Sequence, residues 1–130
     1  MARSLPAWTY TNEEFFALER EALFKRSWQL VCHVSNIAQP GDYFTFEFCG
    51  ELVVALRGRD GAIRAFHNVC RHRGARILDG PQGNCGGRIT CPYHAWTYTL
   101  DGALIGVPGR EEFEGLDLDT HGLVPVEMEI

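Results

Sequence analysis

Two short stretches, Cys70-Arg71-His72-Arg73-Gly74 and Cys91-Pro92-Tyr93-His94-Ala95-Trp96, each set a thiol and an imidazole almost side by side, in a chain with five cysteines and five histidines in all. Thiolates and imidazoles are ligands of zinc and of iron–sulfur centres. Two cysteines and two histidines satisfy one tetrahedral zinc ion, but structural zinc sites usually pair cysteine with cysteine at a knuckle. A [2Fe–2S] cluster with two cysteines on one iron and two histidines on the other needs each loop to straddle both irons. The Cys-x-His and Cys-x-x-His spacings do this. The mixed spacing favours the cluster, and a structural zinc module in a binding protein stands as the alternative.

Such loops must be held by rigid elements, and both motifs end strand-like runs: "AFHNV" leads into Cys70 and "GGRIT" into Cys91. From Gly41 the apolar period is two. Phe44, Phe46 and Phe48 point one way, Thr45 and Glu47 the other, and Leu52, Val54 and Leu56 repeat the pattern, which reads as antiparallel strands. "GRDG" (58–61) is a hairpin turn leading into "AIRAF", and "LDG" (100–102) a second between "WTYTL" and "ALIGV". The segment "RGARILDGPQGNCGG" is rich in Gly and Asn and is expected to wrap loosely between the two Cys/His loops. Ahead of the strands, "TNEEFFALEREALFKRSW" predicts an amphipathic helix with a Thr11/Glu14 capping box and an apolar stripe of Phe15, Leu18, Ala22, Phe16 and Leu23. The closing "HGLVPVEMEI" reads as a strand without a turn, cap or polar tail, as in a piece of something longer.

The bulk numbers narrow the class. A chain of 130 residues with 45% apolar and 22% charged residues is that of a folded domain able to bury a core. A formal charge of −5 with a pI near 5.5 argues against a nucleic-acid surface. Neither a membrane-spanning run nor a secretory leader is legible, which points to the cytoplasm. An odd cysteine count without an export signal favours metal or redox chemistry over a disulfide framework. Two parts are expected: a helical lead over 1–38 and the metal-binding domain over 39–130.

The motifs C-R-H-R-G and C-P-Y-H-A-W, with eighteen residues between His72 and Cys91, resemble the Rieske signature in the form found at the N-terminus of α-subunits of Rieske non-heme iron ring-hydroxylating oxygenases. The leading helix, "FKRSWQLVCHVSNI", "PGDYFTFEFCGELVVALR" and "AFHNVCRHRGA" follow the order of such subunits. The resemblance implies an all-β fold of antiparallel sheets with two cluster-binding hairpin loops, preceded by a helix. It implies that Cys70 and Cys91 ligate one iron while His72 and His94 ligate the other at the edge through which electrons pass. Two ferric ions, two sulfides and two thiolates leave such a cluster neutral, so it is easier to reduce than an all-thiolate one.

Around the cluster, Arg71 and Arg73 flank the first histidine and could compensate charge on reduction. Gly74 and Pro92 look structural. Tyr93 and Trp96 could shield the cluster or mark a docking surface. Tyr98 occupies the place at which high-potential respiratory Rieske proteins carry a tyrosine, whereas Trp96 stands in place of their serine. A potential in the lower part of the Rieske range is therefore expected. Ala95 departs from the family's usual glycine after the second histidine, and its methyl group restricts the backbone there.

The remaining cysteines, Cys32, Cys49 and Cys85, and the remaining histidines, His33, His67 and His121, lack motif partners and are read as ordinary packing or surface residues. The family's mononuclear Fe(II) motif, Asp/Glu-x2-His-x4-His, is not matched: His67 and His72 have the x4 spacing, but Arg64 stands in the carboxylate's place. That iron is expected only in a catalytic domain outside this chain. The expected role is one-electron transfer from a reductase or ferredoxin to an oxygenase catalytic domain, in a neighbouring subunit of a homo-oligomer, with no nucleic-acid or membrane partner. A free-standing Rieske-type ferredoxin is the rival, disfavoured by the long helical lead.

Overall fold

The computed structural model describes residues 4–130, which fall into two compact units divided between Leu30 and Val31. In the first, helix α1 spans Glu13–Ala22. Its cap is Asn12, not Thr11. Asn12 has the extended backbone a cap requires (φ −85°, ψ 117°), and its side chain accepts the Phe15 amide at 2.7 Å. Thr11 instead closes the preceding 3-10 turn, Ala7–Tyr10, by donating its amide to Trp8. The helix is also shorter than the apolar stripe: Leu23 is its C-cap, donating its amide to the Glu19 carbonyl, and Phe24–Arg26 continue as a 3-10 turn. Phe16, Leu18 and Leu23 are exposed.

The second unit is built of antiparallel strands: β1 (Asp42–Phe48), β2 (Glu51–Arg57), β3 (Ile63–His67), β4 (Gln82–Asn84), β5 (Ile89–Thr90), β6 (Thr97–Tyr98), β7 (Leu104–Gly106) and β8 (Pro125–Val126). They form a five-stranded sheet in the order β4-β1-β2-β3-β8 and a three-stranded sheet in the order β5-β6-β7. The all-β class with one leading helix is as the period-two pattern requires. Phe46 and Phe48 share a face, their rings stacked at 5.8 Å. The β1–β2 hairpin turns on Cys49-Gly50, both at positive φ (53° and 82°), the backbone of the tight hairpin turn whose twist matches the strands.

The Gly/Asn-rich segment is more ordered than its composition implies. Its residues 82–84 form β4, paired along β1 with Gly83 opposite Tyr43. A β-carbon at Gly83 would stand 2.7 Å from the Tyr43 hydroxyl and 2.9 Å from its ring. Glycine, read as a mark of irregularity, is thus what lets the strand lie across the tyrosine. Upstream, Ile77 and Leu78 are buried in the core with Val54, Leu56, Phe66 and Ile89. The C-terminal run contributes only the two-residue β8, an edge strand in which Pro125, opposite Phe66, can lack an amide donor. Among the described residues, no helix is long and apolar enough to cross a membrane.

Candidate metal centre

The two Cys/His loops leave different sheets but share one frame. Loop one follows β3 and is closed by the bridge between Val69 and Arg76; loop two joins β5 to β6. In each, the cysteine amide donates to the carbonyl of the residue five positions on: Cys70 to Ala75 and Cys91 to Trp96, both at 2.8 Å. In each, the cysteine carbonyl accepts an amide from four positions on: Gly74 to Cys70 and Ala95 to Cys91, both at 3.0 Å. The residue four positions on has positive φ in both, 73° at Gly74 and 55° at Ala95. Cys-x-His and Cys-x-x-His are therefore one loop geometry with the imidazole carried on the third residue in one case and the fourth in the other.

The frame brings all four expected ligand residues together. Cys70 and Cys91 are buried, 4% and 2% exposed, and their thiols lie close enough to interact. The His72 and His94 rings meet edge to face at 4.8 Å. His72 is clamped by aromatic rings: Trp96 stacks on it at 4.9 Å and 11°, and Phe113 meets it edge-on at 5.6 Å. Its Nδ1 atom is nevertheless buried without a hydrogen-bond partner. An unpaired buried nitrogen costs about 1–3 kcal/mol unless something binds it. This atom is the observation that fits the cluster, because a neutral imidazole with a free lone pair is what an iron ligand must be. Burial first, then the neighbouring His94 and Arg73, push the His72 pKa down and favour that neutral form.

The cysteines show the complementary demand. Burial raises the Cys70 pKa, so a cation is needed to draw out the thiolate. Tyr98 assists: wholly buried, it accepts the Arg71 amide at 3.1 Å and sits 3.3 Å from Cys70 Sγ. Towards a thiolate its hydroxyl can only donate. Burial and the neighbouring Cys70 raise the Tyr98 pKa, so it keeps that proton. Among the described residues no three His, Cys, Asp or Glu side chains converge on a point that one ion could occupy. Pairs of ligands suit a two-iron cluster, with two protein ligands per iron, better than a tetrahedral zinc ion.

Tyr93 is the loop's exposed tip, 74% accessible, with its ring 5.0 Å from that of His94. Arg71 and Arg73 are exposed. Trp96 is 3% exposed and packs on His72. Several cysteines and histidines outside the motifs have local partners. Cys85 Sγ donates to the Gly41 carbonyl at 3.3 Å, His33 caps the 3-10 turn Val34–Ile37, and His121 Nδ1 bonds the Asp117 carbonyl at 2.7 Å. His67 lies 3.7 Å from Glu51.

Two residues of the site went unread in the sequence. Asn68, 2% exposed, donates to the Leu78 carbonyl at 2.7 Å and accepts the amides of Leu78 and Ile77 at 2.9 and 3.3 Å. It bolts the stem of loop one to the segment behind it. The signal was present: Phe66, Asn68 and Cys70 alternate onto one buried face, and an asparagine there must be bonded. Replacing Asn68 by alanine should cost about 2–4 kcal/mol by orphaning three buried backbone groups, measurable by denaturant unfolding. Phe113, the ring over His72 and Trp96, lies in an acidic stretch without periodicity and had no local signal.

Comparison with known proteins places this geometry. The model of the Rieske [2Fe-2S] domain matches residues 27–122. The carnitine monooxygenase oxygenase subunit of Acinetobacter baumannii is 44% identical over 128 residues, covering 95% of this chain and 34% of that protein. The benzene 1,2-dioxygenase α-subunit of Pseudomonas putida is 46% identical over 109 residues, covering 83% of this chain and 24% of that protein. A solved quaternary ammonium Rieske monooxygenase, described for carnitine oxidation and inter-subunit electron transfer, superposes with a TM-score of 0.90 at 43% identity, covering 97% of this chain and 34% of that one. The chain thus spans about a third or less of the length of these relatives.

Proposed function

We propose, from the premise that this chain belongs to the Rieske [2Fe–2S] domain family, that it relays single electrons to the mononuclear iron of an oxygenase catalytic domain. The observation that carries this is the buried, unpaired Nδ1 of His72, set beside His94, in two loops that also bring a pair of buried cysteines together. Cys70 and Cys91 would hold one iron, His72 and His94 the other. When bound, the cluster supplies a site that stores and releases one electron.

The chain's own residues do the rest. Tyr98 donates a hydrogen bond to Cys70 Sγ, which strengthens as negative charge accumulates there. Trp96 and Phe113 keep water from one face of His72, whereas exposed His94 and Tyr93 form the edge at which a partner can approach. Arg71 and Arg73 oppose the charge gained on reduction. The donor would be a reductase or ferredoxin. The acceptor would lie in a neighbouring subunit, in keeping with the inter-subunit transfer described for the similar monooxygenase. The organisation is a helical lead over 1–38 and the Rieske domain over 39–130, in a cytoplasmic protein.

Substrate choice belongs elsewhere. Relatives named for carnitine and for benzene have similar identity to this chain where they align, 44% over 128 residues and 46% over 109. A domain so alike across a quaternary amine and an arene serves the step the two reactions share. The test is a reductive titration of the iron-loaded chain. One electron taken up per two irons, returned to an added acceptor protein, is expected. Uptake of none, or substrate hydroxylation by this chain alone, would overturn the reading.

A further inference from the structure

Ala95 holds a left-handed backbone (φ 55°) that the equivalent position of loop one meets with Gly74. A non-glycine residue held there is strained, and such strain persists only where the surroundings over-determine it. Both sides of Ala95 are pinned. Its amide donates to the Cys91 carbonyl at 3.0 Å, and its carbonyl accepts from Thr97 Oγ1 at 3.0 Å. Thr97 Oγ1 is in turn 3.3 Å from Thr90 Oγ1, its cross-strand partner on β5. A hydroxyl has one proton, and Thr97 spends it on a carbonyl that can only accept. Thr90 is therefore the donor of the second bond, and the order runs Thr90 to Thr97 to Ala95. The site is shaped for this: β7 presents Gly106 opposite Thr97, where a β-carbon would stand 3.2 Å from Thr97 Cβ.

We propose that Thr97, backed by Thr90, is a positioning residue that holds Ala95, the strained residue after His94, and so fixes how loop two presents His94. The proposal rests on the reading of His94 as a cluster ligand. It assigns to two hydroxyls outside both Cys/His motifs the work that glycine makes unnecessary in loop one.

The test compares Thr97→Val, Thr97→Ser, Ala95→Gly and the combination of Thr97→Val with Ala95→Gly, each as the full chain. Two rates are read: hydrogen exchange of the residue-95 amide, with and without iron, and bleaching of the iron-loaded chain by a chelator. Losing one such bond should raise both rates about two- to tenfold in Thr97→Val. Thr97→Ser, which keeps the hydroxyl, should match the parent. In the Ala95→Gly background, Thr97→Val should have little effect, since the strain it restrains is gone. A Thr97→Val chain exchanging at the parent rate overturns the brace, as does equal acceleration in both backgrounds, which would mark simple loss of packing. The metal-free exchange separates the two claims, because it reports on the brace even if His94 proves not to be a ligand.

Discussion

Replacing Cys91 by serine should leave a chain that folds but is colourless after iron and sulfide reconstitution. Cys91 Sγ is buried in the same core as Cys70, in a loop whose frame is fixed by two backbone bonds independent of the side chain. The variant keeps the loop and loses the soft thiolate. An alkoxide is not available at neutral pH, and the remaining Cys70 cannot hold an iron alone. The expected loss of visible absorption is complete, with circular dichroism of the β-sheets retained. Full visible absorption together with an unchanged Rieske-type EPR signal would remove Cys91 from the ligand set.

Replacing Tyr98 by phenylalanine should lower the midpoint potential of the iron-loaded chain. Tyr98 is wholly buried, 3.3 Å from Cys70 Sγ, and its hydroxyl also accepts the Arg71 amide. A thiolate has no proton to give, so towards an iron-bound sulfur the tyrosine is the donor. A hydrogen bond to a more negative acceptor is stronger, and a difference of about 1 kcal/mol between oxidised and reduced states corresponds to about 40 mV for one electron. The fall should be of that order. The parent itself should lie in the lower part of the family range of about −150 to +300 mV, because Trp96 packs flat on His72 where a small hydroxyl would add a second donor. The variant also leaves the Arg71 amide without its acceptor, so a stability loss of about 1–2 kcal/mol accompanies the shift. A potential unmoved by Tyr98→Phe, read by voltammetry, would show that backbone amides set it instead.

The parts of the molecule that were legible in its sequence are those governed by local rules. Alternation from Phe44 to Leu56 placed β1 and β2, and turn residues at 58–61 and 100–102 placed their hairpins. Both Cys/His loops were legible because each sets its cysteine and its histidine within a few residues of one another. What escaped depends on contacts between distant segments. Gly83 becomes a strand residue only because Tyr43 lies beneath it, and Phe113 reaches His72 only once the chain has folded back. The cap at Asn12 rather than Thr11 was decided by which residue the preceding 3-10 turn left in an extended conformation. Ala95 is intermediate. Its departure from glycine was visible, but the hydroxyl pair that holds it required the register of β5 against β6.

The central claim is that two imidazoles and two thiolates divide between the two irons. Pulsed EPR of the reduced, iron-loaded chain carrying 15N-histidine tests it most directly. The account predicts strong coupling to two histidine nitrogens, with loss of the signal when either His72 or His94 is replaced. Coupling to no histidine nitrogen, or a spectrum indifferent to both replacements, would contradict it.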